Sequence, residues 1–262
     1  MLLSRLFIYP VKSLAGVEVD AWPVDDFGLM NDRRWMIVDE LGIALTQRER
    51  ARLALIKPTL FDGGITLTAP TMPPLVSQTP VNCVRPVTVW DDTVDVGDAG
   101  PEAREWLTDF IGEPASLVYM SPDCFRRIDP AYSADARRVS FSDGYPFLLI
   151  SQESMDELNR RMETPLGIER FRPNLVVSGA AHPNAEDEWK RIRIGSLELD
   201  VVKPCARCAV PTVDPKTAER GKEPSRTLAT YRKRDGKVYF GQNLIHRGSG
   251  ELRVGDAAVV VE

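Results

Sequence analysis

A chain of 262 residues, 43% of them hydrophobic and carrying charges of both signs, is long enough to bury one large core or two modest ones, which argues against a disordered chain. Its formal net charge of −5 leaves no footprint for nucleic acid, whose phosphates demand a basic face, so no nucleic-acid partner is expected and an anionic ligand must meet a local cluster. No apolar run approaches the roughly 20 residues of a membrane-spanning helix, and four cysteines are too few for a disulfide scaffold, so a soluble, cytoplasmic chain with reduced thiols and no membrane attachment is expected.

The first hundred residues read as short strands, at 2–9, 17–24, 35–39, 53–59, 65–68, 87–90 and 93–96. Gly42, Gly63-Gly64 and Asp91-Asp92 punctuate them as hairpin turns would. A helix is predicted over 101–111, where Trp106, Leu107, Phe110 and Ile111 share one face. Residues 119–138, rich in Pro, Asp, Arg and Ser, show no period and read as a long surface connection, so the domains are drawn as 1–118 and 119–262. An apolar strand at 147–150 runs into a helix that Ser151 or Ser154 can cap and that bears Met155, Leu158 and Met162. Strands at 174–178, 189–194, 197–203, 238–240 and 253–261 follow, with a short helix near 225–234. The fold class is therefore α+β and predominantly β: a β-barrel-like N-terminal unit, then a second β unit with a few peripheral helices.

The most informative stretch is Pro204-Cys205-Ala206-Arg207-Cys208, leading to Thr212-Val213-Asp214-Pro215. A zinc site wants four ligands, and the rest of the chain offers only Cys83, Cys124, His182 and His246, none in paired spacing. A thioredoxin-like dithiol belongs at a helix N-terminus, where Pro211 and Pro215 would break the helix. Three readings stay open: a reactive thiolate favoured by Lys203 and Arg207, two structural cysteines, or one soft thiolate on a soft metal whose other ligands come with a cofactor. Cys83 and Cys124 stand alone and read as small buried hydrophobes.

A cofactor bearing phosphate needs cations and free backbone N–H groups. Candidates stand where strands end in polar motifs: Tyr9-Pro10-Val11-Lys12-Ser13, Asp32-Arg33-Arg34-Trp35, Ser151 with Gln152, and Phe171-Arg172-Pro173-Asn174. Arg172, before a proline, is expected to be extended.

In this order the four segments and the cysteine motif resemble the MOSC family, named for the C-terminal domain of molybdenum cofactor sulfurases, with its N-terminal β-barrel partner ahead of it. The nearest branch looks like the mitochondrial amidoxime-reducing component and its bacterial relatives. The resemblance implies a molybdenum-pterin cofactor, with no zinc or iron–sulfur cluster in this chain, and a second unit that is a MOSC β-barrel. It implies Cys208 as the metal ligand and catalytic thiolate. Lys12, Ser13 and Arg33 would hold the pterin from the N-terminal unit, and Arg172, Asn174 and Arg207 from the second. Ser151 and Gln152 would meet a phosphate at a helix start, and Asp214 would assist proton delivery, although an Asp before Pro is also a common turn former. Cys205 has no implied role. The implied activity is reduction of N-hydroxylated compounds, with electrons from a separate ferredoxin-, flavin- or cytochrome-type donor, since no ferredoxin domain follows. A carrier of the molybdenum cofactor and a persulfide-bearing sulfur-transfer protein are the alternatives.

Overall fold

The computed structural model describes residues 1–82, 85–133 and 137–262, and Cys83 lies outside them. The strand Leu2–Ile8 is apolar on both faces: Leu3, Leu6 and Ile8 enter one core cluster and Phe7, with Tyr9 beyond it, enters another. Leu3 and Leu6 could not share a face under strict alternation. A bulge between Leu3 and Arg5 in the pairing with Leu175–Ser178 inserts the extra residue that brings them together.

Leu2–Ile8 thus belongs to the largest sheet, which runs Ala258–Val260, Arg191–Ile194, Leu197–Ala206, Lys237–His246, Phe147–Ser151, Leu175–Ser178, Leu2–Ile8, Val17–Val19, with Lys233–Arg234 off that path. The first strand of the proposed N-terminal unit therefore completes the sheet of the proposed second unit. Phe147–Ser151 and Leu175–Ser178 are parallel, and the helix Gln152–Arg160 lies in the crossover between them, as parallel neighbours require.

A four-stranded sheet joins Trp35–Val38, Ser116–Tyr119, Asp92–Asp98 and Arg85–Val89, and a three-stranded one joins Lys57–Phe61, Gly64–Thr68 and Leu75–Gln78. The helix Pro101–Ile111 has the predicted bounds. Pro101 opens it without losing a needed N–H, left-handed Gly112 ends it, and Ala103, Trp106, Leu107 and Phe110 face a core with Val11, Leu14 and Trp35. The predominantly β reading holds.

Four expectations need correction, one being that the strand expected over 253–261 is two, Gly250–Arg253 beside Ala21–Asp25 and Ala258–Val260 beside Arg191–Ile194. The strand expected over 17–24 is two: Val17–Val19 pairs with Leu2–Ile8, whereas Ala21–Asp25 pairs with Gly250–Arg253 and Gly28–Leu29 in another sheet. The start of the strand expected at 53–59 is a 3-10 turn, Ala51–Leu55, with Lys57–Phe61 after it. The connection at 119–138 does not simply cross the surface, because Met120, Cys124, Arg126 and Ile128 are buried. Among the described residues no helix is long and apolar enough to cross a membrane.

Candidate functional site

Where Leu2–Ile8 ends, the chain is zipped to the segment 32–35. Tyr9 N–H donates to Asp32 Oδ1 (2.7 Å), Arg33 N–H to the Tyr9 carbonyl (2.7 Å), and Lys12 N–H to the Trp35 carbonyl (2.8 Å). This brings Lys12, Ser13 and Arg33 to one cavity of about 310 Å³, which Arg172, Asn174, Cys205, Arg207 and Cys208 enter from the other side. Ser13, Arg33 and Arg172 all have left-handed backbones (φ 65°, 51° and 58°), a region costing non-glycine residues about 1–2 kcal/mol each. Such strain persists where the surroundings over-determine it, and functional sites are its usual place.

Arg172 is therefore not extended. A following proline disfavours the right-handed helical region, but the left-handed one is taken here, ending the 3-10 turn Ile168–Phe171 and sending the side chain to the Leu14 carbonyl. The guanidinium carbons of Arg33 and Arg172 lie 4.6 and 4.2 Å from the Tyr9 ring centroid, so one buried tyrosine supports both cations. Burial, with Arg33 nearby, lowers the Arg172 pKa to about 10, still charged at neutral pH, and burial pushes the Tyr9 phenol up. Asn174 is held at both ends of its amide: Oδ1 accepts from Arg33 Nη1 (2.9 Å) and Leu148 N–H (3.2 Å), and Nδ2 donates to the Phe7 carbonyl (3.2 Å). Its visible part is to aim Arg33.

Cys205 lies at the end of the strand Leu197–Ala206, and Cys208 lies beyond it, before the 3-10 turn Val210–Thr212. Both thiols are half-buried. Arg207 Nη1 donates to Cys205 Sγ (3.0 Å) and Nη2 to the Phe171 carbonyl (2.8 Å). Cys208 interacts with Arg48, a residue that no motif singled out. Arg48 Nη2 donates to Asp143 Oδ2 (2.7 Å), and Lys12 Nζ donates to Asp143 Oδ1 (2.5 Å) and to the Phe141 carbonyl (2.8 Å). Lys12, Arg33, Arg48, Arg172, Lys203, Arg207 and Lys237 thus line the cavity against one carboxylate among the described residues, Asp143.

The Asp143 side chain is 58% exposed, and against partial desolvation by its neighbours Lys12 and Arg48 hold its carboxyl well below the ordinary carboxylate range. A folded pKa below the unfolded one adds stability that is present above the unfolded value and lost as pH falls through the folded one. Asp143→Asn is accordingly expected to melt lower than the native protein at pH 7, with the gap closing below about pH 4, where carboxyls of the unfolded chain are protonated. Melting curves at pH 7, 5 and 3 check this, and a pH-independent gap contradicts it.

Three expected site residues stand elsewhere. Ser151 is buried at the N-cap of Gln152–Arg160 and is occupied by Glu186: its N–H donates to Oε1 (3.2 Å) and its hydroxyl to Oε2 (2.8 Å). A carboxylate of the chain itself holds the place considered for a phosphate. Gln152 donates to Asp156 one turn on (2.7 Å). Asp214 Oδ2 accepts from Arg170 Nη2 (2.6 Å), and Oδ1 accepts from Lys216 N–H (2.8 Å) and Thr217 N–H (3.3 Å), so it forms a turn outside the cavity lining.

The human mitochondrial amidoxime-reducing component 1 is 36% identical to this chain over 275 residues, covering 97% of this chain and 81% of the human protein. The family model of the MOSC N-terminal beta barrel domain matches residues 1–114, and that of the MOSC domain matches residues 136–259. The chain belongs to the MOSC family. Another relative of this MOSC chain is the molybdenum cofactor sulfurase of Danio rerio, 34% identical across 94% of the chain but only 32% of that longer protein. Among solved structures, the YUAD protein of Bacillus subtilis aligns with a TM-score of 0.46 at 14% identity, covering 98% of this chain and 93% of its own. The cavity lies between the two matched MOSC regions: Lys12, Ser13, Arg33 and Arg48 come from the first, and Arg172, Arg207 and Cys208 from the second.

Proposed function

We propose that this cavity holds the molybdenum-pterin cofactor with Cys208 as the protein's thiolate ligand to the metal. The loaded protein then reduces N-hydroxylated compounds with electrons from a separate donor protein. The observation that carries the reading is a half-buried thiol in a cavity whose cations are short of acceptors. Arg172 Nη2 and Arg207 Nε are buried without a hydrogen-bond partner, although almost all buried polar groups have one. Oxygens of a phosphate or a pterin ring are acceptors of the kind these donors lack. A soft thiolate suits molybdenum, and a lining of arginine and lysine suits an anionic organic ligand. The likeness to proteins named for amidoxime reduction and for the molybdenum cofactor supports the same reading.

When bound, the cofactor supplies the two-electron chemistry by which an N–OH group becomes N–H and water leaves. The chain's own residues bind and orient. Lys12, Arg33 and Arg172 hold the anionic part, with Asn174 and Tyr9 fixing the two arginines. Arg48 sets a positive charge beside Cys208 on the cavity wall. Asp143 tethers Lys12 and Arg48 at the mouth, and Arg207 links the Cys205 sulfur to the Phe171 carbonyl. Ser13 lines the same wall.

The test is metal analysis of protein expressed in cells with an intact molybdenum-cofactor pathway, followed by reduction assays with amidoximes, hydroxamic acids and N-hydroxylated bases under a chemical electron donor. Near-stoichiometric molybdenum with turnover is expected. Molybdenum without turnover turns the reading to a cofactor carrier, sulfur released from Cys208 by reductant turns it to sulfur transfer, and absence of molybdenum sinks it.

A further inference from the structure

We infer that Trp90 is a stacking platform beside the cavity, giving the protein a preference for planar, π-conjugated N-hydroxylated compounds over small aliphatic ones. The word substrate here rests on the proposed reductase activity, while the binding preference does not. In the hairpin of Arg85–Val89 and Asp92–Asp98, Val89 pairs with Asp92, so Trp90 and Asp91 form a two-residue turn. Trp90 has φ 57° at the first turn position, a place that such hairpins reserve for Gly, Asn or Asp. A bulky side chain there is an outlier, and its indole is left 51% exposed instead of packing into the core.

Contacts from the cavity fix this ring. The Arg48 guanidinium carbon lies 4.6 Å from the ring centroid and Lys12 Nζ lies 5.9 Å from it, and both residues line the cavity, Arg48 beside Cys208. The turn is also tied to the cavity wall. Buried Arg126 donates from Nε to Asp92 Oδ2 (2.6 Å) and from Nη1 to the carbonyls of Ser140 (2.9 Å) and Ser142 (2.7 Å), next to Asp143. Trp90 does not itself line the cavity, but Arg48 and Lys12, which do, hold its ring at the cavity edge, and half of the residue stays exposed there. An exposed, immobilised indole binds flat conjugated groups by stacking, with little ordering cost, whatever polar head they carry.

The experiment compares native protein carrying its cofactor with Trp90→Ala and Trp90→Phe, using benzamidoxime and acetamidoxime, which share the amidoxime head and differ in the ring. Binding is measured by calorimetric titration, and KM and kcat by steady-state reduction. Trp90→Ala is expected to weaken benzamidoxime binding about tenfold and raise its KM with kcat little changed, to leave acetamidoxime unaffected, and to be largely rescued by Trp90→Phe. Equal changes for both compounds, or none for either, overturn the inference, as does native protein that binds benzamidoxime no better than acetamidoxime. Native protein that reduces neither compound, yet binds benzamidoxime through Trp90, refutes the reductase reading and leaves the platform standing.

Discussion

Cys208→Ala is expected to emerge from molybdenum-competent cells folded, with molybdenum content and turnover both near zero, while Cys205→Ala keeps most of each. The two thiols are three residues apart, yet their surroundings differ. Cys205 ends a paired strand, and its sulfur accepts one hydrogen bond from Arg207. Losing it removes an interaction with a net value of about 1 kcal/mol, a few-fold in affinity, and frees a guanidinium that still holds the Phe171 carbonyl. Cys208 lies past the last strand pair, in the cavity and beside Arg48. An oxygen does not replace a soft ligand, and the other sulfur in the cavity, that of Cys205, is engaged by Arg207. Metal analysis and circular dichroism on the same preparations check this. Equal losses in the two variants, or molybdenum retained in Cys208→Ala, overturn the ligand assignment.

Legibility in the sequence followed the range of the interaction that decides each feature. The helix Pro101–Ile111 carries its start, stripe and stop within a dozen residues, and short-range rules found it. The corner at Asp20 separates two strands that are locally alike and differ only in partners more than 200 residues apart, Leu2–Ile8 for one and Gly250–Arg253 for the other. Lys12, Ser13, Arg33, Arg172, Arg207 and Cys208 were placed together from ordered motifs, and all line the cavity. Arg48 and Asp143 gave no signal, because each lies in a polar loop without period and their pairing spans 95 residues. Asp214 and Ser151 show the converse. Local rules already accounted for each, as an Asp turn and a helix cap, and nothing further was needed to explain them.

Glu186→Ala should produce the largest loss of stability among the changes considered, with no direct effect on the cofactor site. Its carboxylate is 2% exposed at the start of the helix Gln152–Arg160. It accepts from Ser151 N–H (3.2 Å), the Ser151 hydroxyl (2.8 Å) and the Ser154 hydroxyl (2.7 and 2.9 Å), while Ser154 Oγ also accepts from Asn184 N–H (2.8 Å). The two hydroxyls, already 2.7 Å apart, can partly satisfy one another, but the Ser151 N–H cannot turn elsewhere. With buried unsatisfied groups costing about 1–3 kcal/mol each, and a void added, the expected loss is about 3 kcal/mol. That corresponds to roughly 6–12 °C in Tm, at about 2–4 °C per kcal/mol for domains of 150–250 residues. Ser151→Ala should lose about 2 kcal/mol, through the cap and through the hydroxyl that donates to the buried Glu186 carboxylate. Molybdenum per folded molecule should be unchanged in both, since neither residue reaches the cavity. A folded Ser151→Ala protein with its molybdenum content halved or worse would return Ser151 to the cofactor and show that Glu186 yields its place to a ligand.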